Sequence, residues 1–192
     1  MSNRSKGDFQ MSKLTNASEV LKSVEEYYGK VLSSSKDLKT DACTTCSAPA
    51  KELQDILKLV PEEVKEKYYG CGTPLPLGIE GLSLLDLGSG SGRDCYVAAQ
   101  LVGSTGAVTG IDMTDEQLKV ARKNIDLYAE KLGYQPNLRF VKGFIELLKE
   151  AGIEDNSIDM CISNCVINLS PNKKLVIAGV FGALREGGIY EC

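Results

Sequence analysis

The chain has 192 residues, a length that fits one domain with its own hydrophobic core. With 25% charged residues, 43% hydrophobic residues and a net charge of −4, it has a globular composition and lacks the basic surface that nucleic-acid binding requires. The absence of histidine excludes Ser-His-Asp catalysis, Cys-His catalysis and histidine-ligated metal sites, so carboxylates, tyrosines and thiols are left to act.

The N-terminal residues 1–14 are polar and carry no apolar core of a secretory signal. No stretch of the sequence is long and apolar enough to span a bilayer. Seven cysteines without such a signal indicate reduced thiols rather than a disulfide scaffold. We therefore expect a cytoplasmic protein that does not bind membranes.

Helices and loops are predicted for the first 80 residues. Residues 1–15 are interpreted as a flexible arm, and residues 16–80 as a helical cap segment with thiol-bearing loops. Asn16 with Glu19 is predicted to cap the first helix, whose apolar residues recur at helical spacing. The predicted helices of this segment run over 16–32, 53–60 and 61–70.

From residue 82 the apolar pattern changes to alternating strands and helices. Strands are predicted at 82–87, 106–111, 138–142, 157–162 and 188–191. Helices are predicted at 92–102, 114–132, 144–151 and 171–186. This alternation predicts an α/β fold for residues 81–192, with a mostly parallel sheet, right-handed crossovers and helices on both faces.

A glycine-rich loop follows the first predicted strand, in the sequence DLGSGSGR that begins at Asp86. Gly88, Gly90 and Gly92 let the backbone turn tightly and approach a ligand, and the next helix offers its free N–H groups to an anion. Arg93 replaces the third glycine of the G-x-G-x-x-G pattern, which argues against NAD or FAD. The loop favours S-adenosylmethionine, whose methionine carboxylate needs one helix end and no pyrophosphate cradle.

The next predicted strand ends in a second carboxylate, Asp112, which lies 24 residues after Gly88. An acidic side chain at this position accepts hydrogen bonds from both ribose hydroxyls of a nucleotide cofactor. An ordinary helix-capping Asp is the alternative, but Thr114 and Gln117 already form a predicted capping box. We therefore expect Asp112 to be free to bind the cofactor.

The fourth predicted strand leads directly into Asn164 and Cys165. Ligands of open α/β sheets lie beyond the carboxyl ends of the strands, so both side chains are expected to face the site. Asn164 is predicted to bind the amino acid end of the cofactor. Cys161 within this strand and Cys95 in the first crossover helix are interpreted as small core residues.

The remaining cysteines lie in loops. Cys43 and Cys46 form a C-x-x-C pair, but a zinc site needs a second pair and a thioredoxin-like site needs a strand before the motif. Cys43, Cys71 and Cys165 are therefore considered together as three thiols that prefer a soft, polarisable centre. Three unrelated loop cysteines are the alternative, because the sequence does not establish that they are neighbours.

Several segments together resemble the arsenite methyltransferases, enzymes that use S-adenosylmethionine to methylate trivalent arsenic. The matching segments are YYGKVL from Tyr27, YYGCG from Tyr68, the glycine loop as far as Cys95, GIDMT from Gly110 and SNCVINL from Ser163. They span residues 20–190. The resemblance implies a class I, Rossmann-like S-adenosylmethionine-dependent methyltransferase fold.

The resemblance also implies roles for individual residues. Cys43, Cys71 and Cys165 occupy the positions of the family's functional thiols, with Cys71 and Cys165 as ligands of the arsenic(III) substrate. A thiol reductant of the glutathione or thioredoxin type would accompany S-adenosylmethionine. Besides Asp86, the three glycines, Arg93, Asp112 and Asn164, the cofactor contacts that the resemblance implies are Tyr69, Met113, Ile145 and Glu146. Plain core packing is the alternative role for Tyr69.

The resemblance breaks off at Cys192, in the fifth predicted strand, whereas the family fold has seven strands. We expect a truncated, monomeric form that acts on small arsenic compounds, with methyl transfer impaired by the loss of the last two strands. One alternative is a class I methyltransferase for another small thiol or amine. The other is a non-catalytic module that binds S-adenosylmethionine or arsenite.

Overall fold

The computed structural model describes residues 17–31 and 51–192. The arm at 1–15, the cap at Asn16, the end of the first predicted helix and the Cys43–Cys46 pair lie outside the described residues. The helices are α1 (17–26, continued by a π-helical turn at Tyr27–Val31), α2 (Lys51–Leu59), α3 (Glu62–Glu66), α4 (Arg93–Val102), α5 (Asp115–Lys123), α6 (Ile125–Leu132) and α7 (Lys173–Ala183). The strands are β1 (Ser83–Leu87), β2 (Ala107–Asp112), β3 (Leu138–Lys142), β4 (Ile158–Ser163) and β5 (Leu184–Glu191).

The five strands form one parallel sheet in the order β3-β2-β1-β4-β5, which confirms the predicted α/β architecture. Alternate residues of a strand face opposite sides of a sheet. Leu84 accordingly belongs to the hydrophobic cluster that includes residues of α2 to α6, while Leu85 and Leu87 belong to the cluster that includes α7. Both faces of β1 are therefore covered, which explains its continuous apolar sequence.

Two predicted helices have different bounds in the structure. The helix predicted at 114–132 is divided into α5 and α6 at Asn124, whose side chain donates to Val120 O at 2.9 Å instead of continuing one straight helix. The helix predicted at 61–70 ends at Glu66, four residues before Gly70. The following residues cross the carboxyl ends of the strands, where Tyr68 donates its hydroxyl hydrogen to Gly72 O.

Two further helix predictions are corrected. Residues 144–151 form turns rather than a helix, with i+3 bonds such as Leu147 N to Phe144 O at 2.9 Å. These turns bury Ile145 and Leu148 in the α7 cluster, and that packing overrides the helical pattern. The helix predicted as far as 186 ends at Ala183, because Leu184 already pairs with Ile158 in the sheet.

The outer side of the sheet at β5 is exposed. Among the described residues, β5 pairs only with β4, and most of its residues are exposed. Phe181 of α7 and Ile189 of β5 are 83% and 55% exposed. In the same ranges no helix has the length and apolarity needed to cross a bilayer.

Candidate cofactor cavity and thiol pair

A cavity lies beyond the carboxyl ends of β1, β2 and β4, at the point where the strand order reverses between β1 and β4. This is the position at which open α/β sheets bind ligands. Most of the predicted cofactor residues line it: Tyr69, Asp86, Gly88, Gly90, Asp112, Met113, Ile145, Glu146 and Asn164. Gly92 and Arg93 are not among the lining residues.

The three loop glycines have different surroundings. A side chain on Gly88 would meet Val166 at 2.4 Å, so this glycine lets the loop after β4 pack against the loop after β1. A side chain on Gly90 would meet nothing within 4 Å, since this backbone borders the cavity. A side chain on Gly92 would meet the Phe140 ring at 2.6 Å, so Gly92 allows α4 to pack closely on the sheet.

The carboxylate of Asp112 is held by two backbone donors. Its Oδ2 accepts from Gly90 N at 2.9 Å and its Oδ1 from Thr114 N at 2.8 Å. Thr114 is the N-cap residue of α5, but its side chain makes no capping bond, so the predicted capping box is wrong. Each oxygen of Asp112 keeps a further lone pair, so this carboxylate supports the glycine loop and the turn before α5 while it borders the cavity. Burial raises its pKa, and the two backbone donors oppose that shift.

Several buried polar atoms of the cavity wall have no hydrogen-bond partner. Within the described residues these include Ser89 Oγ, Gln117 Oε1 and Glu146 Oε2. A buried polar atom without a partner costs about 1–3 kcal/mol, which a bound ligand with matching groups relieves. S-adenosylmethionine offers an ammonium group, two ribose hydroxyls and an adenine amine, so these residues fit this cofactor.

The cavity is rich in buried carboxylates. Asp86, Asp94 and Asp112 are 2%, 4% and 9% exposed. Burial raises the pKa of Asp86 well above its usual range, and the neighbouring Asp94 raises it further, while the thiol of Cys95 lowers it by donating to Asp86 Oδ2 at 3.2 Å. Arg93 pairs with Asp94 at 2.7 Å and partly offsets this charge. The arrangement favours a ligand that carries positive charge, as a sulfonium with an ammonium does.

Two of the predicted thiols meet at the mouth of the cavity. Cys165 Sγ lies 2.7 Å from Cys71 Sγ, in an arrangement that joins the loop after β4 to the loop after α3. Cys165 is exposed, lines the cavity and has a φ of 58°, a left-handed conformation that is costly for a residue other than glycine. Cys71 is disulfide-bonded in this structure. Cys43, the third predicted thiol, lies outside the described residues.

Cys95 and Cys161 are core residues, as predicted from the sequence. Both are at most 1% exposed, and burial raises the pKa of each thiol, so that neither is a thiolate near neutral pH.

The sequence pattern assigned Gln117 to the capping box with Thr114, and this assignment is wrong. The Nε2 of Gln117 donates to Tyr28 O at 3.2 Å, and its Oε1, which has no partner, lies at the cavity wall.

Comparison with known proteins decides the family. The family profile described as "Methyltransferase domain" matches residues 79–191, more than half of the chain. The chain belongs to the methyltransferase-domain family. Its glycine loop, Asp112 and Asn164 all lie within the matched part.

Curated relatives of this methyltransferase domain bear the name arsenite methyltransferase. The mouse protein is 49% identical over 180 residues, covering 93% of this chain and 48% of the relative. The human protein is 51% identical over 172 residues, covering 88% and 46%, and that of Aquipseudomonas alcaligenes is 51% identical over 166 residues, covering 86% and 48%. The chain thus spans about half the length of the curated relatives it matches.

Solved structures agree with this methyltransferase fold. CrArsM, an arsenic(III) S-adenosylmethionine methyltransferase from Chlamydomonas reinhardtii, is 56% identical with a TM-score of 0.73, covering 74% of this chain and 48% of that one. A putative S-adenosyl-L-methionine-dependent methyltransferase from Methanococcus maripaludis is 20% identical with a TM-score of 0.51, covering 73% and 56%. The second likeness shows the fold alone.

Replacing Gln117 by alanine in this methyltransferase domain is expected to weaken S-adenosylmethionine binding about tenfold. The change removes a buried acceptor at the cavity wall and the bond to Tyr28 O, a loss of about 1.4 kcal/mol. Titration calorimetry measures the effect. Gln135→Ala, at an exposed position, is the matched control. Equal affinities in the two variants would exclude Gln117 from the cofactor site.

Affinity for S-adenosylmethionine is expected to fall as the pH is lowered. A carboxyl with a raised pKa takes up a proton at a higher pH than an ordinary Asp, and the neutral form of Asp86 no longer attracts a cation. Affinity therefore rises with pH over a range that lies above the ordinary Asp pKa of about 4, and Asp86→Asn flattens that dependence. Calorimetry across this range measures the slope of affinity against pH for the unsubstituted chain and for Asp86→Asn. Equal slopes in the two proteins would assign the pH dependence to another group.

Proposed function

We propose that this chain binds S-adenosylmethionine and trivalent arsenic next to each other, and that it transfers the methyl group of the first to the second. The position of Cys165 carries this proposal, because its thiol lines the cofactor cavity and lies 2.7 Å from Cys71 Sγ. Neighbouring thiols suit a soft centre rather than magnesium or calcium. The names of the curated relatives and of CrArsM support the same substrate.

Arsenite binding begins with reduction of Cys71. Since Cys71 is disulfide-bonded, two external thiols of the glutathione or thioredoxin type reduce that bond and leave as their own disulfide. Arsenite then exchanges two hydroxyl groups for the sulfurs of Cys71 and Cys165. The two thiol protons leave with those hydroxyl groups as two water molecules, so this step involves no oxidation or reduction.

The residues of the chain contribute position and charge rather than proton transfer. S-adenosylmethionine, when bound, would supply an electrophilic methyl group to the lone pair of trivalent arsenic, with S-adenosylhomocysteine as the leaving group; the arsenic is thereby oxidised by two electrons, which external thiols return as they form a disulfide. No side chain has to act as a general base, because that lone pair carries no proton. The carboxylates of Asp86 and Asp112 face the cationic cofactor, and Tyr69 borders the cavity beside Cys71, where its ring can lie over the sulfonium. By holding both reactants in one cavity and excluding water, the protein accelerates methyl transfer from S-adenosylmethionine to arsenic.

The deciding experiment measures methyl transfer from labelled S-adenosylmethionine to arsenite by the purified chain with excess thiol. Labelled methylarsenic is expected. Saturable binding of both ligands without product would identify a non-catalytic binding module instead. Labelled product on sulfur or nitrogen of another small molecule, with none on arsenic, would identify a methyltransferase of different specificity.

The proposal extends to the oligomeric state, the localisation and the domain arrangement of the protein. We infer a monomer in the cytoplasm that acts on small arsenic compounds and needs neither nucleic acid nor a membrane. The arrangement of residues 1–15 as an arm, 16–80 as a cap segment and 81–192 as the cofactor-binding core belongs to this proposal. Sedimentation at several concentrations tests the monomer, since β5 has an exposed edge along which copies of the chain could associate.

A further inference from the structure

Four side chains form a connected group between the glycine loop and the Cys71 loop. We call them the thiol clamp: Tyr68, Arg93, Asp94 and Asn164. Asp94 is 4% exposed and the Arg93 side chain 12%, so the polar bonds of this group are shielded from water. Shielded bonds between charged groups are stronger than exposed ones, which makes the clamp a rigid connection.

Asn164 stands at the centre of the clamp. Its Oδ1 accepts from Cys71 N at 2.9 Å. Its Nδ2 donates to Tyr68 OH at 2.6 Å and to Asp94 Oδ2 at 2.9 Å. An amide nitrogen has two hydrogens, and both are used inside the protein. Asn164 therefore has no hydrogen left to donate to the amino acid end of a cofactor, although it lines the cavity.

Arg93 holds the other side of the Cys71 loop. Its Nη2 donates to Gly72 O and, at 2.6 Å, to Thr73 Oγ1. The same guanidinium donates to Asp94 Oδ1 through Nε and Nη2, and lies 3.6 Å from the centre of the Tyr68 ring. Arg93 thus contacts two other clamp residues, Tyr68 and Asp94, and binds the Cys71 loop at Gly72 and Thr73, whereas it does not line the cavity.

We propose that the thiol clamp positions Cys71 against Cys165, so that Asn164 and Arg93 serve the thiol pair rather than the cofactor. Asn164 and Cys165 are consecutive residues: the first fixes the backbone of Cys71, and the second presents its sulfur 2.7 Å from that of Cys71. The clamp residues are positioning residues, because each acts through the loop that carries Cys71. This inference rests on the proposed function for its substrate, but the spacing of the sulfurs is measurable without arsenic.

The first test uses dibromobimane, which becomes fluorescent when two neighbouring thiols displace its two bromides. It is applied to the reduced full chain, and the Cys71–Cys165 bridge is mapped by mass spectrometry. Asn164→Ala is expected to slow this bridging about tenfold, while the exposed control Asn137→Ala leaves it unchanged. The alkylation rate of the exposed Cys165 by iodoacetamide should be the same in both. Unchanged bridging in Asn164→Ala would overturn the clamp.

The second test uses phenylarsine oxide, a trivalent arsenical that binds two thiols, and S-adenosylmethionine on the same proteins. Asn164→Ala is expected to weaken phenylarsine oxide binding about tenfold and S-adenosylmethionine binding less than about threefold. A larger loss of affinity for S-adenosylmethionine than for phenylarsine oxide would make Asn164 a cofactor contact and overturn the proposal.

A double-mutant cycle shows whether Asn164 acts through Cys71. In a Cys71→Ser background the Cys71–Cys165 pair no longer exists, so Asn164→Ala should cause no further loss of arsenical affinity. A further loss there would show a general disturbance of folding and overturn the clamp. Failure of the unsubstituted chain to bind phenylarsine oxide, with normal bridging by dibromobimane, would contradict the proposed function and leave the clamp supported.

Discussion

Replacing Cys165 by serine is expected to abolish tight binding of trivalent arsenic and to leave S-adenosylmethionine binding nearly intact. Without Cys165 the Cys71–Cys165 pair no longer holds the arsenic twice, an advantage worth roughly 10²- to 10⁴-fold in affinity. Serine keeps the size and the backbone of the site but is a hard oxygen ligand. Titration of phenylarsine oxide and of S-adenosylmethionine measures the two affinities on one protein.

Cys192→Ser is the matched control for this substitution, because Cys192 is also exposed and lies outside the cavity lining. It should bind both ligands as the unsubstituted chain does. Methyl transfer to arsenite should fall with arsenical affinity in Cys165→Ser. If both ligands weaken equally, Cys165 shapes the cavity as a whole and is not a ligand of the substrate.

The sheet was predictable because its signal is local. The strands that become β1, β2 and β3 are short apolar runs bounded by glycine or polar residues, and each lies within one residue of its predicted bounds. The carboxyl ends of parallel strands lie at one edge of a sheet, which placed Asp112 at the end of β2 and Cys165 after β4 near the cavity. The turns at 144–151 were missed because burial of Ile145 and Leu148 is a tertiary effect with no local sequence signal.

The sequence does not show which residues of the site line the cavity and which bind other protein groups. The glycines at 88, 90 and 92 form one motif, yet only the first two border the cavity. Asn164 follows a strand end, where a ligand contact is expected, but its hydrogens are used by Tyr68 and Asp94, which are distant in sequence. The sequence identifies the residues at the edge of the sheet, and only three-dimensional contacts show which neighbour each one serves.

Replacing Gly92 and Gly90 separately by alanine is expected to give opposite results. Gly92 has a φ of 90°, and an added Cβ would lie 2.6 Å from the buried Phe140 ring and 3.3 Å from Ala121 Cβ. The positive φ and the overpacking each cost roughly 1–3 kcal/mol, so the free energy of unfolding should fall by about 3 kcal/mol. Gly90 has a φ of 52° and open space around it, so Gly90→Ala should lose only about 1 kcal/mol.

Affinity for the cofactor should fall more in Gly90→Ala than in Gly92→Ala, the reverse of the order for stability. A methyl group on Gly90 extends into the space that the cofactor needs and sits beside the bond from Gly90 N to Asp112, so affinity for S-adenosylmethionine should fall more than about tenfold. Folded Gly92→Ala should bind nearly as well as the unsubstituted chain, because Gly92 does not line the cavity. Urea unfolding and titration calorimetry measure the two effects. A Gly92→Ala variant of normal stability and weak cofactor binding would show that this glycine, too, approaches the ligand, and that α4 tolerates the closer contact with Phe140.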